Sequence, residues 1–230
     1  MLISRSTFQL RCLAGLVLSV WLAATASRVA SAPLFAAPFL SFDTGSLPSF
    51  VAIGDLSGDG KPDLAVANLY TSTISVFLGN GDGSFAAKTD YGVGDYPRSV
   101  AIGDLNADGK PDLVVANSGL WPAYGTTVSV LLGNGGGSFA PKTDFVTGGV
   151  PYSVAIGDLN GDGKPDLVVA RGGAVSVLLG NGDGSFGPTA DFPADDAEFL
   201  AIGDLNGDGK LDVATTNGSA SAVSILLGNG

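Results

Sequence analysis

The chain has 230 residues and carries 22 acidic against 11 basic side chains. Its net charge of −11 excludes the basic surface expected of a protein that binds nucleic acid. The sequence contains no histidine, which excludes catalytic sites and metal sites that depend on imidazole. Glycine reaches 35 residues, and Glu198 is the one glutamate, so a mainly helical fold is disfavoured.

Residues 1–26 have the features of a secretory signal peptide. Two arginines and no acid precede an apolar run over residues 12–24, and small residues fit a cleavage site after Ala26. The run is shorter than the roughly 20 residues of a membrane-spanning helix, although an uncleaved anchor remains the alternative. Cleavage would remove Cys12, the only cysteine, and leave residues 27–34 as a short linker. We therefore predict a mature chain without a transmembrane span, located in the periplasm, at the cell surface or outside the cell.

Residues 35–230 consist of four copies of one unit with a period of about 50 residues. The segment V-A-I-G-D-L begins at Val51 and returns at Val100, at Val154 and, with leucine in first place, at Leu200. Each copy contains short β-rich runs bounded by glycine, asparagine and aspartate, which is the pattern of strands joined by tight turns. A period of this length favours the blades of a β-propeller over helical repeats.

Four strands, A to D, are predicted in each unit. In the third copy strands A, B and C fall at 153–156, 167–170 and 175–179, and strand D falls at 186–192. We therefore predict an all-β fold with about four blades, each a four-stranded antiparallel sheet. Residues 35–42 resemble an additional D strand. Two arrangements remain open: a small closed ring in which this segment pairs beside the last C strand, and a part of a larger propeller.

The loop between strands A and B carries the most distinctive motif, D-x-[NS]-x-D-G-K-x-D. Its copies span residues 55–63, 104–112, 158–166 and 204–212. Oxygen-bearing side chains occupy loop positions 1, 3, 5 and 9, and glycine at position 6 permits a sharp turn. Position 7 would offer its backbone carbonyl and leave its lysine side chain in solvent. In chain order, these candidate ligands are Asp55, Ser57, Asp59, Lys61, Asp63; Asp104, Asn106, Asp108, Lys110, Asp112; Asp158, Asn160, Asp162, Lys164, Asp166; and Asp204, Asn206, Asp208, Lys210, Asp212.

Clustered oxygen ligands without nitrogen or sulfur indicate Ca²⁺ rather than zinc or copper. Three aspartates and one lysine give each loop two excess negative charges, which one calcium ion would neutralise. An EF-hand is excluded because its loop needs glutamate at position 12, where this chain has Val66, Val115, Val169 or Thr215. The alternative is a solvated Asp-Gly turn without metal. We predict up to four calcium ions per chain.

The run from V-A-I-G-D-L-N-G-D-G-K-P-D to V-S-V-L-L-G-N-G-D-G-S-F resembles the FG-GAP/VCBS repeat. This repeat forms the propellers of integrin α-subunits and occurs in many exported bacterial proteins. The resemblance covers residues 35–230 and implies propeller blades with Ca²⁺ in the A–B loop, bound through positions 1, 3, 5, 7 and 9. Ser57 replaces asparagine at position 3 in the first copy. Such propellers usually have seven blades, whereas this chain has four units.

The loops opposite the A–B loops vary most, as binding loops do on a fixed scaffold. The longest covers residues 117–127 and contains Trp121 and Tyr124. We expect it to lie near a set of aromatic and arginine side chains: Tyr70, Tyr96, Arg98, Tyr152 and Arg171. Such residues are preferred in contacts with proteins and sugars, and packing between loops is the alternative explanation.

These features predict a non-enzymatic binding or adhesion module for an extracellular protein or glycan. A lectin-like carbohydrate-binding propeller and an accessory domain of a carbohydrate-active enzyme are the alternatives. A glycosidase needs a second carboxylate opposite its acid. Most aspartates are already assigned to the loops, and Glu198 has no evident partner. We therefore predict that the chain is not an enzyme.

Overall fold

The computed structural model describes residues 40–120 and 123–230. The predicted signal peptide, the linker and Trp121 therefore lie outside the described residues. The chain divides into one unit over Met1–Ser41 and a compact unit over Phe42–Gly230, and the following description concerns the second. Every regular element in the described ranges is a β-strand, and no helix there could cross a membrane.

The strands form four successive antiparallel sheets, which we call blades 1 to 4. Blade 1 contains β1 (Pro48–Gly54), β2 (Asp63–Asn68), β3 (Thr73–Phe77) and β4 (Thr89–Gly92). Blade 2 contains β5 (Pro97–Gly103), β6 (Asp112–Leu120), β7 (Ala123–Leu131) and β10 (Thr143–Val146), with a two-stranded ribbon of β8 (Gly133–Gly135) and β9 (Ser138–Phe139) before β10. Blade 3 contains β11 (Pro151–Gly157), β12 (Asp166–Arg171), β13 (Ala174–Leu178) and β14 (Ala190–Pro193). Blade 4 contains β15 (Ala197–Gly203), β16 (Asp212–Asn217) and β17 (Ala222–Leu226). The predicted A, B, C and D strands of the third copy correspond to β11–β14.

The predicted D strand begins too early. Strand β14 starts at Ala190, whereas the prediction placed its start at Phe186. Phe186 instead forms an isolated antiparallel bridge with Gly180, which belongs to the C–D turn. Pro188 then follows, and proline has no backbone N–H to donate to a sheet. Blade 2 shows the same delay, because Pro141 precedes β10.

The segment predicted as a long loop at 117–127 is largely a β-hairpin. Strands β6 and β7 continue past the length of their equivalents, and Gly119 pairs with Tyr124. A register shift after Asn117 allows the pairing to resume beyond the irregularity. On both sides of residues 121–122, the segment predicted as a binding loop is therefore a paired extension of β6 and β7.

The hydrophobic core lies between neighbouring blades. The first strands pack in series, β1 on β5, β5 on β11 and β11 on β15. Each interface joins alanine, valine and isoleucine side chains from two blades, as in the cluster of Ala65, Ile74, Val100 and Val115. The repeated strand pattern thus buries one face of each sheet on its neighbour, the relation expected of consecutive propeller blades.

The described residues do not form a closed ring. Blade 4 has three strands within the range that the structure describes, and Val51 on blade 1 and Val223 on blade 4 are more than half exposed. Most of the segment predicted to close the ring, residues 35–42, is not described. Its last residue, Phe42, packs its ring on Phe77 and Phe85 of blade 1, with ring centroids 6.3 and 5.2 Å apart.

Candidate metal centre

The aspartate at loop position 9 is the most buried residue of the A–B loop. In blade 1, Oδ2 of Asp63 accepts the backbone N–H groups of Leu56 and Ser57 at 2.8 and 2.9 Å. Its Oδ1 accepts the N–H of Gly79 in the C–D turn at 2.7 Å. The four equivalent carboxylates, all fully buried, are Asp63, Asp112, Asp166 and Asp212. This residue therefore joins the two loops at the same end of the blade.

Close packing explains the glycine that opens each C–D turn. A Cβ atom at Gly79 would lie 2.1 Å from the carbonyl oxygen of Pro62, and at Gly180 it would lie 2.0 Å from that of Pro165. These separations are below any van der Waals contact, so a side chain would force the turn away from the loop. The Gly-Asn-Gly signature is thus required by the contact with the A–B loop as well as by the turn itself.

The aspartate at position 1 binds the backbone of its own loop. Oδ1 of Asp55 accepts the N–H groups of Gly58 and Asp59, and Oδ2 accepts that of Gly60 at 2.8 Å. The Gly60 N–H is the main cause that lowers the pKa of Asp55 below its usual value. The equivalent bond to position 6 recurs at Asp104, Asp158 and Asp204. Asp55 and Asp204 are exposed, whereas Asp104 and Asp158 are partly buried. The Gly209 N–H likewise lowers the pKa of Asp204, so the negative form is favoured at Asp55 and Asp204.

Positions 3 and 5 extend the same network. The amide oxygens of Asn106, Asn160 and Asn206 each accept the N–H of the aspartate two residues later, at 2.9–3.1 Å. Ser57 differs, because its hydroxyl donates to Oδ1 of Asp55 at 3.4 Å. Position 5 accepts the backbone N–H of the lysine at position 7 in every copy, through Asp59, Asp108, Asp162 and Asp208.

The lysine side chains at position 7 are 44–46% exposed in blades 1 to 3, as predicted, and they also pair with an aspartate of their own loop. Nζ of Lys61 lies 2.8 Å from Oδ2 of Asp59, and the corresponding pairs in blades 2 and 3 measure 3.2 and 3.8 Å. In blade 4, Lys210 instead donates to the carbonyl oxygen of Asn229. In blades 1 to 3 the short spacing between positions 5 and 7 brings the lysine back over its own loop. In blade 1 the hydrogen bond from the Lys61 side chain lowers the pKa of Asp59.

Two left-handed residues shape each loop. Glycine at position 6 has φ between 78° and 83°, as predicted from the motif. Position 4 is also left-handed, a requirement that the sequence analysis missed although three copies have glycine there. The exception is Ala107, with φ of 58°, a conformation that costs a residue with a side chain about 1–2 kcal/mol.

The donor set of each loop is chemically suited to Ca²⁺, because it offers carboxylate, amide, hydroxyl and carbonyl oxygens only. Carboxylate oxygens have more than one lone pair, so those already bonded to N–H groups retain acceptor capacity. Over residues 40–120 and 123–230, however, no three acidic side chains converge as a ready metal site. The structure thus places the predicted ligands in one loop without gathering their charges at one point, and calcium binding stays a prediction.

Aromatic side chains mark the opposite end of the blades. Tyr70 from the B–C loop of blade 1 and Tyr96 from the following D–A loop form an edge-to-face pair with centroids 5.4 Å apart. Arg98 of β5 lies over the ring of Tyr152 at 5.2 Å. The loops around them are joined by a bond from Ser118 N to Tyr96 O. The sequence prediction that these residues lie on one shared rim is confirmed for this group.

A buried polar network that the sequence analysis missed crosses each blade near this rim. In blade 1, Asn68 donates to Ser75 Oγ at 2.9 Å, and Ser75 donates to Asp90 at 2.6 Å. Blade 2 repeats it with Asn117, Ser129 and Asp144. Blade 3 uses Arg171 in place of asparagine, together with Ser176 and Asp191. The serine that recurs in the middle of every C strand is the feature of the sequence that could have indicated this network.

Solved structures with a similar fold have low sequence identity. The structure of BBS1N in complex with ARL6DN matches with a TM-score of 0.52 and 16% identity, covering 81% of this chain and 58% of that one. A lectin from Agrocybe aegerita that recognises non-reducing terminal N-acetylglucosamine matches at 24% identity with a TM-score of 0.49, covering 77% of this chain and 51% of the lectin. The V. cholerae biofilm matrix protein Bap1 matches at 20% identity with a TM-score of 0.47, covering 78% and 26%. This chain therefore spans little more than half the length of the first two structures.

No curated protein matches the sequence. The family model for the FG-GAP-like repeat matches three times, at residues 55–115, 118–169 and 158–215. Each match includes an A–B loop or the strands around it, and together they cover more than half of the chain. The repeated loops, the buried aspartates and these matches show that the chain belongs to the FG-GAP-like repeat family.

Proposed function

We propose that this chain is an exported, calcium-stabilised propeller module that binds an extracellular protein or glycan and has no enzymatic activity. The observation that carries this proposal is the row of exposed tyrosine and arginine side chains on the rim opposite the A–B loops. Tyr70 and Tyr124 are 61% and 56% exposed; Tyr70 lies in the turn that follows β2, and Tyr124 lies on β7.

Aromatic side chains on a rigid support suit recognition, because they offer large contact areas and lose little conformational entropy on binding. A tyrosine face can stack on the apolar face of a sugar or fill a pocket in a protein. The Tyr70–Tyr96 pair and the Arg98–Tyr152 contact extend this surface over blades 1 to 3. The same surface supports a lectin-like function as the second candidate.

Calcium would stabilise the other end of the blades. Each loop has three carboxylates and one lysine, so a loop without metal carries two excess negative charges within nine residues. Bound calcium would supply a double positive charge to the oxygens at positions 1, 3, 5, 7 and 9. Binding to the folded loops and not to the unfolded chain would then stabilise the fold by mass action.

Export is proposed from the sequence of residues 1–26, and the absence of enzymatic activity from the chemistry of the side chains. The chain has no histidine, and the aspartates of the A–B loops are bonded to backbone N–H groups. The rim that carries the tyrosines contributes Arg98, hydroxyl groups and the carboxylate of Asp95, which accepts a hydrogen bond from Ser72 Oγ, and we propose that these groups bind a partner without converting it.

Binding of the chain to a glycan array and to surface proteins of cells tests the proposal. The wild type should bind a defined set of glycans or a cell-surface protein, and the Tyr70→Ala/Tyr124→Ala double variant should lose at least tenfold in affinity. Phe192→Ala, at an exposed aromatic residue of β14, is the matched control and should bind like the wild type. Equal binding by all three proteins would disprove the role of the rim. Glycan binding alone would favour the lectin-like alternative.

A further inference from the structure

Three isoleucines occupy equivalent positions between neighbouring blades. Each comes from the first strand of one blade and points at a glycine at the end of the first strand of the preceding blade. A Cβ atom at Gly54 would lie 3.1 Å from Cδ1 of Ile102, and one at Gly103 would lie 3.0 Å from Cδ1 of Ile156. The third pair is Gly157 with Ile202, where the separation would be 2.6 Å. Because glycine has no side chain, it leaves the space that the isoleucine fills.

At each end of the series of described blades, one residue of this isoleucine–glycine pair is left without the other. Ile53 occupies the isoleucine position of blade 1 and is 70% exposed. Gly203 occupies the glycine position of blade 4, and no atom of the described residues lies within 4 Å of a Cβ placed there. Blade 1 thus has the exposed isoleucine of this contact, and blade 4 has the glycine beside which the described residues leave the space unfilled.

A second contact repeats the same relation in the opposite direction. Leu78 of blade 1 and Leu132 of blade 2 each touch a glycine in the C–D turn of the next blade, where a Cβ atom would lie 2.4 and 2.7 Å from the leucine Cδ2. The equivalent leucine of blade 4, Leu227, is 59% exposed. The equivalent glycine of blade 1, Gly83, has no atom within 4 Å of its Cβ position among the residues described. Two complementary pairs therefore remain unfilled, and each joins the face of blade 4 to the face of blade 1.

We propose that the free face of blade 4 binds the free face of blade 1 in a second copy of this chain, with Ile53 packed against Gly203 and Leu227 against Gly83. The occupant is inferred from the interior interfaces, because the covered faces of blades 2 and 3 have the same residues at the same positions. Apolar side chains around the two contacts support the fit: Val51 on blade 1, and Val223 and Ile225 on blade 4, are exposed. Their burial between copies would remove apolar surface from water.

A contact between unlike faces generates a ring when the rotation closes and a filament when it does not. Two copies would bring together eight blades, which lies within the typical range of about 4–8 for propellers. The expected product is therefore a closed dimer that uses each face once per chain.

Disulfide trapping tests the register of this contact. The ideal Cβ of Gly54 lies 3.9 Å from Cβ of Ile102, inside the range of about 3.5–4.5 Å that a disulfide requires. The same geometry between copies predicts that Ile53→Cys and Gly203→Cys chains, each in a Cys12→Ser background, form a mixed disulfide dimer under mild oxidation. The Gly54→Cys/Ile102→Cys chain is the positive control and should close its bond within one chain.

Val146→Cys mixed with Gly203→Cys is the negative control, because Val146 is 63% exposed on β10 and outside both faces. The proposal requires the Ile53–Gly203 pair to cross-link at least tenfold faster than this control. Equal rates, or cross-linking of Ile53→Cys only with itself, would overturn it.

Light scattering gives an independent measurement that needs no cysteine. The wild type should have the mass of a dimer, whereas Ile53→Asp and Ile225→Asp should each be monomeric, with circular dichroism confirming that they are folded. Mixing the two variants should restore dimers, because each retains the face that the other lacks. Val146→Asp should remain a dimer. A wild type that stays monomeric at 100-fold higher concentration than the first measurement, or a mixture that stays monomeric, would overturn the proposal.

Discussion

The backbone N–H of Gly79 donates to Oδ1 of Asp63 at 2.7 Å, and this bond joins two loops that are separate in the sequence. The other oxygen of the same carboxylate holds the start of the A–B loop. One buried aspartate thereby fixes the loop that carries the candidate calcium ligands onto the turn of the same blade. Its structural role does not depend on metal, and its full burial separates it from the side chains at positions 1, 3 and 5.

The first prediction distinguishes this role from metal binding. In excess chelator, Asp166→Ala should lower the free energy of unfolding by about 3 kcal/mol, because the buried N–H groups of Leu159 and Gly180 lose their acceptor. Asp162→Ala in the same loop is the matched control and should cost less than about 1 kcal/mol, since its side chain is exposed. Thermal or urea unfolding measures both. Similar losses in the two variants would show that position 9 has no special structural role.

The second prediction concerns calcium. Chelation should lower the melting temperature of the wild type, and Ca²⁺ should restore it better than Mg²⁺, which demands a tighter octahedral site. Metal analysis should approach four calcium ions per chain, and Asp158→Asn/Asp162→Asn should remove one of them. A melting temperature that does not change in chelator would contradict calcium binding.

The third prediction follows from the left-handed conformation of Ala107. Replacement by glycine should stabilise the chain by about 1 kcal/mol, because glycine adopts φ of 58° without the contact made by Cβ. Gly161→Ala, at the equivalent position of blade 3, is the reverse test and should destabilise by a similar amount. Urea unfolding of both variants measures the effect, and a destabilised Ala107→Gly chain would show that the alanine side chain makes a compensating contact.

The fourth prediction concerns pH. The hydroxyl of Ser176 and the guanidinium of Arg171 lower the pKa of Asp191 below its usual value of 3.8. The unfolded chain therefore binds the proton first as the pH falls, and the stabilisation is complete above pH 3.8 and lost through the lower pKa of the folded state. Asp191→Asn should reduce the loss of stability between about pH 5 and pH 2.

Asp195→Asn, at an exposed position in the next loop, is the control for this measurement and should keep the wild-type pH dependence. Urea unfolding at a series of pH values compares the three proteins. An Asp191→Asn chain with the same slope as the wild type would exclude this carboxylate as a source of acid sensitivity.

Local sequence patterns predicted the strands and the turns between them, because alternating residues and glycine-rich turns act over a few positions. The partner of Asp63 could not be predicted in this way, since Gly79 becomes its neighbour only when β2 and β3 pair. The delayed start of β14 depends on the bridge between Phe186 and Gly180, another contact made in three dimensions.

In the candidate site, too, local features could be predicted from the sequence and contacts made in three dimensions could not. Glycine at position 6 indicated a sharp turn, and its positive φ confirms it. The side chain of Lys61 is 45% exposed, in agreement with the prediction for position 7, but its ion pair with Asp59 was not predicted because the sequence gives no direction for a long side chain. The exposed faces of blades 1 and 4 could not be predicted from the sequence, because that prediction requires knowing which blades pack together.

The repeated isoleucine–glycine contact has a consequence for how such chains change length. Because Ile102 meets Gly54 as Ile156 meets Gly103, removing or duplicating one whole unit would bring together the same pair of side chains at the new junction. Insertion or removal of one complete unit would therefore preserve the register of this contact. A chain built in this way can change its number of blades and keep the same kind of interface at every junction.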